Sequence, residues 1–133
     1  MIIKDKERSV KIGDKTYHCV VDVAMGFVGG KWKAVVLWYL KGGTKRYSDL
    51  KRLMPDITEK MLAKQLRELQ NDGLVTRKDY GVVPPRVEYS LSDEGRALVP
   101  LLEELAKWGR TKANNSGIWV DAEPRVNKPR RSA

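Results

Sequence analysis

The stretch from Ser48 to Leu74, SDLKRLMPDITEKMLAKQLRELQNDGL, decides the fold. Ser48 is placed to cap a short helix from Asp49 to Met54: a hydroxyl oxygen there accepts from an unpaired first-turn amide, and Asp49 suits the positive end of the dipole. Leu50, Leu53 and Met54 are its inward residues. Pro55-Asp56-Ile57 makes a tight turn. Thr58 then caps a longer helix, Glu59 to Asp72, whose buried stripe is Leu62, Leu66 and Leu69. Gly73 can adopt the left-handed conformation that closes a helix, and Leu74 can fold back onto the last turn. Two helices joined by a three-residue turn form a helix-turn-helix.

The flanks extend this unit. Downstream, Leu74 to Tyr80 reads as a strand, Gly81-Val82-Val83-Pro84-Pro85 as a proline-stiffened loop, and Arg86 to Leu91 as a second strand. The second strand carries Val87, Tyr89 and Leu91 on one face and Arg86, Glu88 and Ser90 on the other. Ser92 caps a final helix with the apolar residues Leu98, Leu101, Leu102, Leu105 and Trp108, which Pro100 should kink. Upstream, Val20–Val28 has helical spacing and ends at Gly29-Gly30. A second helix runs from about Lys31 to Leu40, before a short strand over 44–47. Val10 and Ile12, Gly13-Asp14, and Thr16-Tyr17 read as a small hairpin. The expected layout is a tail and short hairpin over 1–18, a helix-turn-helix domain over 19–116 whose long last helix reads as a dimer element, and a flexible basic tail over 117–133. The fold class is mainly α with a small β-wing (α+β): a winged helix-turn-helix.

Charge points to the partner. The chain of 133 residues carries a net charge of +9 and has a pI near 9.7. Excess positive charge suits a polyanion, most often nucleic acid. Residues 41–91 hold eleven basic and seven acidic side chains, whereas residues 92–116 hold four of each. The central segment is therefore the expected contact surface. With the leucines of the Glu59–Asp72 helix turned inward, Lys60, Lys64, Arg67 and Asn71 lie on the opposite side, with Ala63 beside them. Cations and an amide on one face suit phosphates and base edges, and Thr58 can offer its hydroxyl at the helix start. An ordinary solvated helix face has the same composition; its place as the second helix of a helix-turn-helix favours double-stranded DNA. The alternatives are a winged helix that binds RNA or a protein. Arg77, Lys78 and Arg86 are the wing's candidate DNA contacts, against a plainer role in keeping a strand edge soluble.

Catalysis finds no support. His18 and Cys19 are the only histidine and cysteine, and neighbours in an extended segment point to opposite sides. No phosphate-binding glycine loop occurs, and no set of ligands clusters for a metal. No cofactor is expected. One cysteine forms no internal disulfide. With a charged N-terminus that lacks a secretory signal, this fits a reducing cytoplasm. No apolar run approaches the ~20 residues a membrane helix needs. Cys19 lies just before the Val20 helix, where free amides favour a thiolate; the plainer reading is a small buried apolar residue.

Several blocks together resemble one family: Gly29-Gly30-Lys31-Trp32, Arg46-Tyr47-Ser48-Asp49-Leu50, Ile57-Thr58-Glu59-Lys60-Met61-Leu62, Leu66-Arg67-Glu68-Leu69, Asp72-Gly73-Leu74-Val75 and Pro84-Pro85-Arg86-Val87-Glu88-Tyr89-Ser90-Leu91-Ser92. In order and spacing, from about Cys19 to Gly109, they are similar to the HxlR family of bacterial regulators, relatives of the MarR type. The resemblance implies a winged-helix homodimer on operator DNA, repressing or activating, with its recognition helix at Thr58–Asn71 and its wing at Gly81–Pro85. It also implies a dimer built by the N-terminal helix and the last helix, whose seam would be Leu98, Leu101, Leu102, Leu105 and Trp108. That last stripe could instead pack on its own domain. Cys19 matches a family cysteine that in some members senses quinones, aldehydes or oxidants, so a small electrophile or oxidant is an expected effector. Where the family often has proline after that cysteine, this chain has Val20.

Overall fold

The computed structural model describes residues 8–118 and Val120. Most of the expected basic tail over 117–133 lies outside the described residues. The elements in chain order are β1 (Val10–Ile12), β2 (Lys15–Tyr17), α1 (Val20–Val28), α2 (Lys33–Leu40), β3 (Lys45–Arg46), α3 (Tyr47–Leu53), α4 (Glu59–Asn71), β4 (Val75–Asp79), β5 (Val87–Leu91), α5 (Asp93–Arg96) and α6 (Val99–Ser116). They divide into two units, residues 1–35 and 36–133, with the division inside α2.

In the first unit, β1 and β2 pair antiparallel, Val10 opposite Tyr17. Gly13 takes φ +60° in the two-residue turn, a conformation that favours glycine. Tyr17 is buried and its ring stacks on Phe27, centroids 6.4 Å apart. Gly26 lets α1 lie against that ring, since a Cβ there would come within 2.6 Å of Tyr17 Cε2. Val28 is the one buried residue of α1. Val20, Val21 and Met25 are exposed, so the helical spacing is right but much of its apolar surface stays uncovered.

The second unit is built on the helix-turn-helix. Its core gathers Val36, Leu37 and Leu40 of α2, Leu50 and Met54, Ile57 of the turn, Leu62, Leu66 and Leu69 of α4, and Val75, Tyr89 and Leu91 of the sheet. The three-stranded sheet has the order β3-β5-β4, with β5 central and both pairings antiparallel. The short strand before α3 thus becomes an edge of the wing sheet, Lys45 opposite Tyr89 and Arg46 opposite Glu88.

Three local expectations are corrected. The cap of α3 is not Ser48: the helix starts at Tyr47, directly out of β3, and the Asp49 carboxylate accepts the Arg46 N–H at 3.0 Å. Leu53, expected inward, is 42% exposed at the margin of the stripe, while Leu50 and Met54 are buried. Pro100 does not kink a single helix. The chain breaks after α5, and Pro100 falls in the first turn of α6, where a missing N–H sacrifices no helical hydrogen bond.

The end of α4 follows the sequence closely. Gly73, at φ +81°, donates to the Gln70 carbonyl at 3.0 Å, and Leu74 donates to Leu69 at 2.9 Å. This closes the last turn in a Schellman motif. Ser92 then locks the junction, its hydroxyl donating to the Gly73 carbonyl at 2.6 Å and accepting from Gly95 N at 3.0 Å.

Candidate nucleic-acid interface

The capping hydroxyl of Thr58 accepts the Met61 N–H at 3.0 Å, which leaves its own proton available to donate. Leu62, Leu66 and Leu69 are buried, and Lys60, Ala63, Lys64, Arg67 and Asn71 are all exposed. The split follows the helical repeat, so one solvent face presents three cations, a methyl and an amide. Lys64 Nζ lies 3.9 Å from Glu68 Oε2, with both side chains well exposed. Such a surface pair contributes at most about 1 kcal/mol and exchanges readily for a phosphate. Tyr47 fixes the first helix to the second: its hydroxyl donates to the Glu59 carbonyl at 2.8 Å. Burial, and then the Glu59 carboxylate, raise the Tyr47 pKa, so it stays a donor at neutral pH.

The wing separates the residues that the sequence grouped. Arg77 stands opposite Tyr89 on the row that faces the core side, with its guanidinium 4.0 Å from Asp79. Lys78 stands opposite Glu88 on the other face. Arg86 is not a loose wing cation. Its Nε and Nη2 both donate to Glu88 Oε2, at 3.1 and 3.0 Å. Tyr80 donates to the other carboxylate oxygen at 2.7 Å. Lys78 Nζ and Arg86 Cζ lie 4.7 and 4.5 Å from the centroid of the Tyr80 ring, within cation–π range. Hydrogen bonds from Tyr80 and then Arg86 hold the Glu88 carboxyl below its ordinary pKa, and the bond to Glu88 is the main cause raising that of Tyr80. Sequence reading missed Tyr80 and Glu88. The alternation in β5 put Glu88 beside Arg86, but their partners depend on the hairpin register and the path of the loop.

At the wing tip Val82 and Val83 are exposed, Val83 almost completely at 96%. On α6 the expected seam splits in two. Leu102 is buried in its own unit and Leu98 is half-buried, whereas Leu101, Leu105 and Trp108 are 41%, 51% and 68% exposed. Leu102 is thus a core residue, because positions four apart, 98 and 102, face inward together while 101, 105 and 108 share the outer side. Cys19 caps α1 by position only: it is half-buried and makes no side-chain cap bond. The Asp22 carboxylate accepts the neighbouring His18 N–H at 2.8 Å. Among the described residues no group of three or more His, Cys, Asp or Glu could hold a metal, and no helix is long and apolar enough to cross a membrane.

A helix-turn-helix with a cationic outer helix face and a β-wing beside it defines a winged-helix DNA-binding protein. The model of the family described as HxlR-like helix-turn-helix matches residues 27–116. The chain is 46% identical over 109 residues to an HTH-type transcriptional regulator of Methanothermobacter thermautotrophicus, covering 80% of this chain and 83% of that one. It is 52% identical over 95 residues to the HTH-type transcriptional regulator YkvN of Bacillus subtilis, covering 71% and 80%. Among solved structures it is similar to the redox regulator HypR in its oxidised form, with a TM-score of 0.68 and 43% identity over 70% of this chain and 96% of that one. The chain belongs to the HxlR-like helix-turn-helix family, related to the MarR type: it is a DNA-binding transcriptional regulator and not an enzyme.

Proposed function

We propose that this regulator binds duplex operator DNA as a two-fold homodimer, with α4 in the major groove and Thr58, Lys60, Ala63, Lys64 and Arg67 as its contact residues. The observation that carries the reading is the division of α4 into a buried leucine stripe and an exposed cationic face. A helix fits the major groove, where Arg and Lys bind guanine edges and a methyl meets the thymine methyl. Lys78 and Arg86 add wing contacts to the flanking backbone, and the exposed Val82 and Val83 pack against sugars. The exposed stripe Leu101, Leu105 and Trp108 supplies the dimer seam. Cys19, half-buried and the chain's one cysteine, makes the protein responsive to oxidants or electrophiles; the support is the likeness to HypR, a redox regulator.

Lys64→Ala with Arg67→Ala tests the DNA reading. Both side chains are exposed, so the double variant stays folded. Each specific base contact contributes ~1–3 kcal/mol, so affinity for duplexes selected by the wild type falls at least about tenfold, read by fluorescence anisotropy. Wild-type affinity also falls steeply with salt as counterions are released. A folded double variant that binds like wild type, or a wild type that prefers single-stranded RNA to duplex, overturns the assignment.

A further inference from the structure

The outer face of the wing sheet carries one anion among its cations. Glu88 on the central strand has Arg46 opposite it on β3 and Lys78 opposite it on β4, while Arg86 precedes it by two residues on the same face. A carboxylate on a surface meant for phosphate would ordinarily weaken binding. Yet its side chain is only 17% exposed, against 46% for Arg86. Each of its oxygens is taken, one by the Tyr80 hydroxyl and one by the Arg86 guanidinium.

From this geometry we infer that Glu88 is a positioning residue for DNA binding: with Tyr80 it forms a bracket that fixes the Arg86 guanidinium so that its remaining N–H donors face the duplex. A guanidinium has five N–H donors in a rigid planar fork. Glu88 takes donors on Nε and Nη2, and Nη1 has no protein partner among the described residues. The Tyr80 ring lies against the guanidinium, its centroid 4.5 Å from Cζ, and restricts the rotation that a free arginine would retain. Ordering the side chain before DNA arrives removes that entropy cost from the binding step. The anion is spent inside the protein, and the free edge is what DNA meets. The inference rests on the wing-contact part of the proposed function.

Its test uses a sign. Glu88→Gln raises the net charge by one, so an idle surface carboxylate predicts tighter binding to every duplex. A positioning role predicts that affinity for the selected operator falls about fivefold, the scale of one or two hydrogen bonds, and that affinity for a scrambled duplex falls as well, because a backbone contact carries no sequence information. Tyr80→Phe, which keeps charge and ring, lowers operator affinity in the same direction by a smaller factor. In an Arg86→Ala background neither substitution lowers it further. Thermal melts and circular dichroism on each variant separate this from unfolding, and Tyr80→Phe carries the test if Glu88→Gln fails to fold. Tighter operator binding by Glu88→Gln, or an equal loss with and without Arg86, overturns the inference. So does an Arg86→Ala variant that binds operator like wild type; if Lys64→Ala with Arg67→Ala still weakens binding about tenfold or more, that result leaves the reading of α4 standing.

Discussion

At the scale of single residues, Cys19 shows how position alone leaves a role open. The sequence puts it just before a helix, and the structure makes it the N-cap residue with no bond from its side chain to the helix amides. With one cysteine per chain, oxidation cannot form a disulfide within the chain: diamide, itself reduced, leaves a disulfide to a second subunit or to a small thiol, and a quinone instead adds covalently to the thiolate. Either change adds bulk beside α1. The expected outcome is that wild type releases operator on titration with diamide or a quinone, while Cys19→Ser keeps it, both followed by anisotropy with mass spectrometry of the thiol. Wild type that holds its DNA when the thiol is fully modified makes Cys19 structural. Other residue roles were legible because local chemistry decides them. Thr58 caps α4 as a hydroxyl before a helix should, and Gly73 closes it. Glu88 and Tyr80 were not, since their meaning arises only when β4 and β5 pair and the loop brings Tyr80 over the strand.

At the scale of elements, α4 and β5 were readable from periodicity, because each has one buried side and its repeat records that side; β4, exposed beyond Val75, carries no such repeat and is legible only from its place between α4 and the proline loop. The helix after the wing was misread at its start. Ser92 and Pro100 were both taken into one helix; the structure instead makes two, with the break at Ala97 and Leu98. Gly95 helps explain why α5 exists as a separate turn. It is buried, and a Cβ there would fall on the Leu74 carbonyl oxygen, which itself accepts the Ser92 N–H at 3.0 Å. The short helix therefore presses directly on the chain that leaves α4. Gly95→Ala should force these backbones apart and destabilise the domain by ~1–3 kcal/mol, despite alanine's better helix propensity. A urea midpoint equal to or above the wild-type value would show that α5 can move away without cost.

At the scale of the whole molecule, one α4 covers only one half-site, and a two-fold dimer places two of them about one helical turn, ~34 Å, apart. The apolar residues left exposed on α6 are the surface we propose for that assembly. Leu101, Leu105 and Trp108 form a stripe at spacings of four and three, whereas Leu102 is buried within its own chain. This division sharpens the mutational test. A charge at Leu102 would unfold the domain, because an unpaired charge cannot be buried there. Leu101→Glu with Leu105→Glu places charges at positions that are open to water in the single chain, so the variant should fold. It should then be a monomer by light scattering, since the same carboxylates would be desolvated in a two-fold seam. DNA binding should weaken by about tenfold or more with the core contacts intact, because losing the partner removes the effective concentration of the second half-site. The salt dependence of the residual binding should also be shallower, as fewer phosphates are neutralised per complex. An unchanged dimer in the folded double variant would move the seam off this stripe, and the exposed Val20, Val21 and Met25 of α1 would be the next surface to charge.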